Sequence, residues 1–318
     1  MSKRILHFLL MLLVGIIGCI FYYFFCCKCS LNGNSTTDKK NTTVVAPVTV
    51  NKPKVPTPTS NAFALSDSEG NFSFKANEHF NFNANGFNLL SPISLNVDAG
   101  IDKLKTYLTT HPEKTLDIIG LYTSKEENTS AYPNLGIARA NSIKNYLVGK
   151  GISSKQLNTD GRLDDNLIPN GIIYQGPVDY KFNTFESVAD EEAQLKVEIE
   201  ALRKEILADP LKLNFETGSS LISLTATQRA KMAKLSRYLD KADNGLIDII
   251  GHTDNTGSLA TNIKLGMDRA NTIKKYLIKN GINAAKIKTL SKGPNKPIAT
   301  NSTADGRNKN RRVEITLE

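Results

Sequence analysis

The chain has 318 residues, 40 of them Lys or Arg and 31 Asp or Glu, for a formal net charge of +9; 40% are hydrophobic and 22% charged. That balance excludes a wholly disordered or fibrous chain, and the length allows two domains that each bury a core. Charge is unevenly placed: residues 211–318 hold 19 basic against 9 acidic side chains, while residues 1–210 hold 21 against 22. An anionic partner is therefore expected for the last third alone. Nucleic acid fits poorly, because no stacking aromatics are interleaved with these Lys and Arg residues.

In chain order the first element is residues 5–27, ILHFLLMLLVGIIGCIFYYFFCC, with no Asp, Glu, Lys or Arg. A helix of that length reaches roughly 35 Å, enough to cross a hydrocarbon core of ~30 Å. Lys3 and Arg4 precede it and only Lys28 closely follows. The positive-inside rule then puts the N-terminus in the cytoplasm and everything after Cys29 outside. Ile16-Ile17-Gly18-Cys19 also fits a bacterial lipobox, in which Cys19 is acylated after cleavage, and an ordinary removed signal is a third reading. The run IFYYFF beyond Cys19 favours an uncleaved single-pass anchor over residues 1–30. All four cysteines (Cys19, Cys26, Cys27, Cys29) lie in or beside this segment, so the exported part has no disulfide framework and no thiolate metal cage.

Residues 31–66 are rich in Asn, Ser, Thr, Lys and Pro and too poor in apolar side chains to fold. They are expected to form a disordered tether, about 120 Å when stretched and ~30–35 Å as a coil.

The next two blocks, residues 67–185 and 211–318, read as copies. HFNF (79–82) answers KLNF (212–215), LDIIG (116–120) answers IDIIG (247–251), and RANSIKNYLVGKGI (139–152) answers RANTIKKYLIKNGI (269–282) at an offset of 130. PVDYKF (177–182) answers RVEITL (312–317). Each copy predicts strand, helix, short buried strand, helix, strand, and IKTLSK (287–292) adds a strand before the last in the second. The expected fold class is α+β: two tandem βαβαβ domains, each a mixed sheet covered by helices. Between them, residues 186–210 form a linker helix with Leu195, Ile199, Leu202 and Ile206 on one stripe, expected to pack on a neighbouring domain rather than in a coiled coil.

Candidate chemistry concentrates in GHTDNTGSLATNIKLGMDRAN, residues 251–271. Asn262, Gly266 and Arg269 fall on one helical face, bordering the core stripe of Ile263, Met267, Ala270, Ile273 and Leu277. Asp254 leaves the strand end through DNTGS. A carboxylate and a guanidinium facing one shallow cleft suit a zwitterion such as a free amino-acid head group. On spacing alone a second reading stays open: Asp254 caps a loop and Arg269 makes a surface ion pair worth ~0–1 kcal/mol. His252 and Asp254 could form an acid–base pair, but no activated Ser or Cys and no His/Glu metal set accompanies them. No enzyme, cofactor or metal site is expected.

The segments GHTDNTG, NIKLGMDRA, GINAAKIKTLSKGPNKP and NKNRRVEITL, in that order, resemble the OmpA-like C-terminal domain, most closely in the form found in peptidoglycan-associated lipoproteins. The resemblance covers residues 211–318. It implies a non-covalent peptidoglycan-binding domain that grips the diaminopimelate of the stem peptide. Asp254 and Arg269 would carry the main contacts, Thr253, Asn262 and Leu265 would shape the pocket, and Arg312 would lie beside it. The first copy departs from this pattern: Ser124 stands for Asp254, Tyr132 for Asn262, and Gly176-Pro177 for the paired arginines, leaving Arg139 without its anion. Residues 67–185 are accordingly expected to be a degenerate copy acting as spacer or protein-binding surface. The chain as a whole is expected to be a non-catalytic envelope protein joining a membrane to peptidoglycan from the periplasmic side. The alternatives are an outer-membrane lipoprotein acylated at Cys19, and an envelope scaffold or sensor that uses the wall only for docking.

Overall fold

Period-two burial starts the fold earlier than the composition implies. The computed structural model describes residues 57–69, 72–214 and 222–318; the expected membrane segment, Cys19 and the tether up to residue 56 lie outside these. Among the described residues no helix is long and apolar enough to cross a membrane. Phe63 and Leu65 alternate with exposed neighbours, so β1 (Phe63–Ser66) pairs antiparallel with β2 (Ser73–Ala76) and buries both side chains. The tether expected over residues 31–66 is corrected here: its last part is folded, because two large apolar side chains at strand spacing supply burial that the polar stretch before them lacks.

The first half continues with β3 (Asn81–Asn83) and α1 (Leu95–Thr110), capped by Ser94 and burying Val97, Ile101, Leu104 and Leu108 at helical spacing. β4 (Lys114–Tyr122), α2 (Leu135–Gly149), β5 (Leu157–Leu163), β6 (Ile173–Gln175) and β7 (Val178–Thr184) complete it. β4 pairs in parallel with β5 and antiparallel with β7.

A helix α3 (Val188–Ala208) follows, setting Ile199, Leu202 and Ile206 against the core of the second half. That half runs β8 (Leu211–Asn214), α4 (Ala226–Lys241), β9 (Ile247–His252), α5 (Leu259–Lys279), β10 (Ile287–Gly293), a short α6 (Ala304–Asn310) and β11 (Arg312–Leu317). Its sheet has the order β10-β9-β11-β8, with β9 parallel to β10 and antiparallel to β11, the pattern β4 makes with β5 and β7. Met232, Leu235, Leu239, Ala270, Ile273 and Leu277 of the helices meet Ile247, Ile249, Val313 and Ile315 of the strands in one core. Each of the larger of these side chains, Ala270 apart, stabilises the fold by roughly 1.5–3 kcal/mol over leaving it exposed, well above an exposed ion pair.

One correspondence expected from the sequence fails. β8 pairs with β11, whereas β3, which aligns with it, pairs with β6. Gly176, at φ 64°, and Pro177, which has no N–H to donate, interrupt the chain between β6 and β7. β7 alone is at least as long as β11, and β3 pairs instead with the separate strand β6 that precedes the Gly176-Pro177 break.

Glycines set how closely the site-bearing helices lie. A Cβ on Gly251 of β9 would sit 1.9 Å from the Gly266 carbonyl oxygen of α5, and one on Gly120 of β4 2.0 Å from that of Gly136 of α2. Both helices rest backbone to backbone on their strands, which brings the loop after each strand under the helix that follows. The halves also share a polar seam. The Tyr132 hydroxyl donates to the Asn280 carbonyl at 3.1 Å and lies 3.1 Å from Ser236 Oγ, while Lys144 pairs with Asp240. Lys241 donates to the Lys155 and Leu157 carbonyls at 2.6 and 3.1 Å. Burial, helped by the nearby Lys144 and Arg237 charges, pushes its pKa down to about 8.

Candidate functional site

The site begins where β9 ends. Ile247 and Ile249 point into the core and Gly251 lies under Gly266, so the chain emerges beneath the first turns of α5. Thr253 is buried; its N–H donates to the Gly293 carbonyl at 3.0 Å and its hydroxyl to the Asp254 carbonyl at 2.9 Å. These bonds fix the backbone on both sides of Asp254. The turn continues through Gly257, at φ 91°, to Ser258, which caps α5 by accepting the Thr261 N–H at 3.2 Å. From the helix, Asn262 reaches back and donates to the Thr256 carbonyl at 3.0 Å. The loop is therefore tied to strand, cap and helix before any ligand arrives.

Asp254 Oδ1 accepts the Thr256 N–H at 2.9 Å, and Oδ2 accepts Arg311 Nη1 at 2.8 Å; the Asp254 and Arg311 side chains are 13% and 19% exposed. Burial alone would raise this carboxyl, but the Arg311 bond and charge and the Thr256 N–H outweigh it and hold the group below the ordinary carboxylate range. Arg269 stands half-buried on α5 and donates Nη1 to the His252 carbonyl at 3.3 Å. Burial first and the Arg311 charge second lower its pKa, with Asp254 opposing, so the three groups share one electrostatic neighbourhood. The Asp254 carboxylate thus shares its surroundings with two guanidiniums. Such a cleft can take an anionic group by paired N–H bonds and offer a carboxylate to a cation.

Of the residues expected from the sequence, Asp254, Arg269, Thr253 and Asn262 come together here. Leu265, 41% exposed, stands one turn before Arg269 on α5. Arg312 is placed differently from the expectation. It is 2% exposed, its Nε donates to Glu314 Oε1 at 2.8 Å, and its Nη2 donates to the Lys296 carbonyl at 3.1 Å. Of the Arg311-Arg312 pair, Arg311 caps the end of α6 and meets Asp254, while Arg312 opens β11 and turns to Glu314. The doublet was the available signal. Asn310, fully buried, binds the Ile298 and Ala299 N–H groups at 2.8 and 3.1 Å and so folds residues 298–301 down beside the strand. His252 turns away from Asp254: its Nε2 lies 3.8 Å from Glu314, and neither ring nitrogen has a hydrogen-bond partner among the described residues. Among these residues no group of three His, Cys, Asp or Glu side chains could hold a metal ion.

In the first half Arg139 is not without an anion, contrary to the expectation. It is fully buried and pairs with Glu126, a residue that the loop alignment passed over in favour of Ser124.

Part of this chain is similar to known proteins. The Probable lipoprotein YiaD of Escherichia coli (strain K12) is 36% identical over 112 residues, 35% of this chain and 50% of that protein. The Outer membrane protein A of Bordetella avium is 48% identical over 89 residues, 28% of this chain and 46% of that protein. The Peptidoglycan-binding protein ArfA of Mycobacterium bovis (strain ATCC BAA-935 / AF2122/97) is 43% identical over 86 residues, 26% of each. This chain thus spans half or less of the length of these relatives. The OmpA family matches residues 214–311, a span that holds Asp254, Arg269 and Arg311 together with the strands and helix that position them. Residues 214–311 are an OmpA family domain.

Proposed function

We propose that residues 211–318 bind peptidoglycan non-covalently, without catalysing its turnover, and that through them the chain holds a membrane to the cell wall. The observation that carries this reading is Asp254 bonded to Arg311 and electrostatically coupled to Arg269, on a loop braced from three sides. The free end of a diaminopimelate side chain carries both an ammonium and a carboxylate. Arg269 receives the carboxylate, and Asp254 receives the ammonium in exchange for part of its bonding to Arg311. Thr253 and Asn262 hold the loop, Leu265 supplies an apolar wall, and Arg312 braces the strand behind Arg311. The 43% identity to a protein named for peptidoglycan binding supports the ligand class, and the basic surplus of residues 211–318 supports an anionic polymer.

The motif offset of 130, the matched strand pairing and the matched glycine contacts support residues 57–185 as a second, altered copy of the same domain. The apolar run of residues 5–27 supports a membrane anchor. An acylated Cys19 is the rival attachment, favoured by a relative named as a probable lipoprotein; the mass of the mature N-terminus separates the two.

The test of the wall contact is cosedimentation of the full chain with purified diaminopimelate-type sacculi. The Asp254→Ala/Arg269→Ala variant is expected to lose at least ~90% of the pelleted protein, the loss of two charge-assisted contacts. Undiminished pelleting of a folded double variant would refute the site.

A further inference from the structure

Arg139 lies on α2 where Arg269 lies on α5, but its surroundings are complete. Its Nη1 donates to Glu126 Oε2 at 3.2 Å and its Nη2 to Glu126 Oε1. The same carboxylate accepts two backbone N–H groups, Thr123 at 3.0 Å and Asn85 at 3.2 Å. The remaining guanidinium protons go to carbonyls: Nε to Gly86 at 3.0 Å, Nη1 to Leu121 at 2.8 Å and Nη2 to Asn83 at 3.5 Å. The Phe82 and Tyr174 rings approach the guanidinium with centroids at 5.6 and 5.1 Å. Arg139 is fully buried, and the Glu126 side chain is 3% exposed. Four N–H donors converging on one carboxylate, roofed by aromatic rings and closed to solvent, are the parts of a carboxylate receptor.

We propose that the half spanning residues 57–185 contains a carboxylate-binding pocket kept filled by the chain's own Glu126, and that with this side chain truncated the pocket takes a free short-chain monocarboxylate. The first half then offers the wall no guanidinium, and the chain makes one wall contact rather than two. This rests on reading Arg269 as the group that receives a ligand carboxylate, because Arg139 occupies the corresponding place. A net-neutral, hydrogen-bonded pair inside apolar walls persists because breaking it strands the partner charge. Glu126 is tethered beside Arg139, so a dissolved carboxylate competes with an intramolecular partner.

The experiment uses the full chain and its Glu126→Ala and Glu126→Gln variants. Urea unfolding is followed in sodium acetate and in sodium chloride at equal ionic strength. Glu126→Ala is expected to be less stable than wild type in chloride. With a dissociation constant of about 10 mM, 100 mM acetate raises its folding equilibrium constant about tenfold. Wild type and Glu126→Gln, whose pockets stay filled, respond at most twofold. Adding Arg139→Met to Glu126→Ala abolishes the acetate response. If Glu126→Ala does not fold in chloride, its refolding yield in acetate becomes the readout, and recovery there supports the pocket. No acetate gain beyond that of wild type, or no refolding in either salt, overturns the proposal. Neither result depends on Arg269 or on sacculi, so this failure and failure of the wall contact are told apart.

Discussion

Arg139 and Arg269 begin the same Arg-Ala-Asn triplet, on helices that lie equally close to their strands, yet one is sealed and the other stands half-buried at a cleft. The acids account for the difference. Asp254 comes two residues after β9 and is held at the loop by the Thr256 N–H and by Arg311, the residue before β11. Glu126 comes four residues after β4, has one more methylene, and meets no arginine from the far strand, where Gly176-Pro177 stands instead. It therefore reaches Arg139 itself, and Phe82 and Tyr174 close over the pair. An arginine at this helical position does not make a receptor. What differs is the partner of the neighbouring acid: Glu126 bonds Arg139, whereas Asp254 bonds Arg311.

The largest effect expected from this contrast is on stability. Arg139→Met leaves the Glu126 carboxylate buried and uncompensated, a loss of about 3–5 kcal/mol. Arg269→Met truncates a half-buried guanidinium that bonds the His252 carbonyl at 3.3 Å, and a smaller loss of about 1–2 kcal/mol is expected. Urea midpoints of the full chain measure both, and sacculus pelleting should rank the folded variants in the reverse order. Equal destabilisation would mean that the two arginines play the same part.

Much of this contrast was legible in the sequence, and the remainder depended on loop paths that spacing does not fix. LDIIG and IDIIG, with their terminal glycines, gave the strands on which both helices lie, and the apolar period from Ile263 to Leu277 gave the face of α5. Asp254 and Arg269 could be paired because one ends a strand and the other lies on the helix that returns over it. Arg311 and Arg312 could not be told apart, since which residue of the doublet enters the strand sets its side, and an error of one residue exchanges them. Glu126 is hidden in the sequence because the β4–α2 loop differs from its counterpart, and opposing Ser124 to Asp254 leaves the acid two residues away. The roof over it comes from β3 and β6, whose pairing depends on the break at Gly176-Pro177.

A second asymmetry sits one residue past the strand glycines: His252 in the second half, and the apolar, buried Leu121 in the first. Burial, with the Arg312 and Lys292 charges, pushes the His252 pKa down to about 4, and Glu314, 3.8 Å from Nε2, opposes this only in part. In the unfolded chain the imidazole titrates near 6.5. Between those values the unfolded state binds the extra proton, so stability is full above pH 6.5 and falls as pH drops towards 4. A shift of that size corresponds to about 3 kcal/mol at the acid end of the window. His252→Gln is expected to flatten the stability profile of the full chain between pH 6.5 and 4. A profile as steep as that of wild type would assign the acid sensitivity to other groups.

The smallest effect concerns the residue that replaces Asn262. Asn262 spends its side chain on its own loop, bonding the Thr256 carbonyl at 3.0 Å. Tyr132 turns outward from its half, 2% exposed, and bonds the Asn280 carbonyl and Ser236 of the other. The substitution thus converts a brace of one cleft into a seam between the halves. Tyr132→Phe keeps the ring packed and removes only the hydroxyl, leaving a buried carbonyl short of a donor, a loss of about 1–2 kcal/mol. The Ala131 N–H to Asn280 bond at 2.7 Å and the buried Lys144–Asp240 pair remain, so the halves should still unfold in one transition with a lowered midpoint. Two separate transitions in the variant would instead make the Tyr132 hydroxyl the contact that couples the halves.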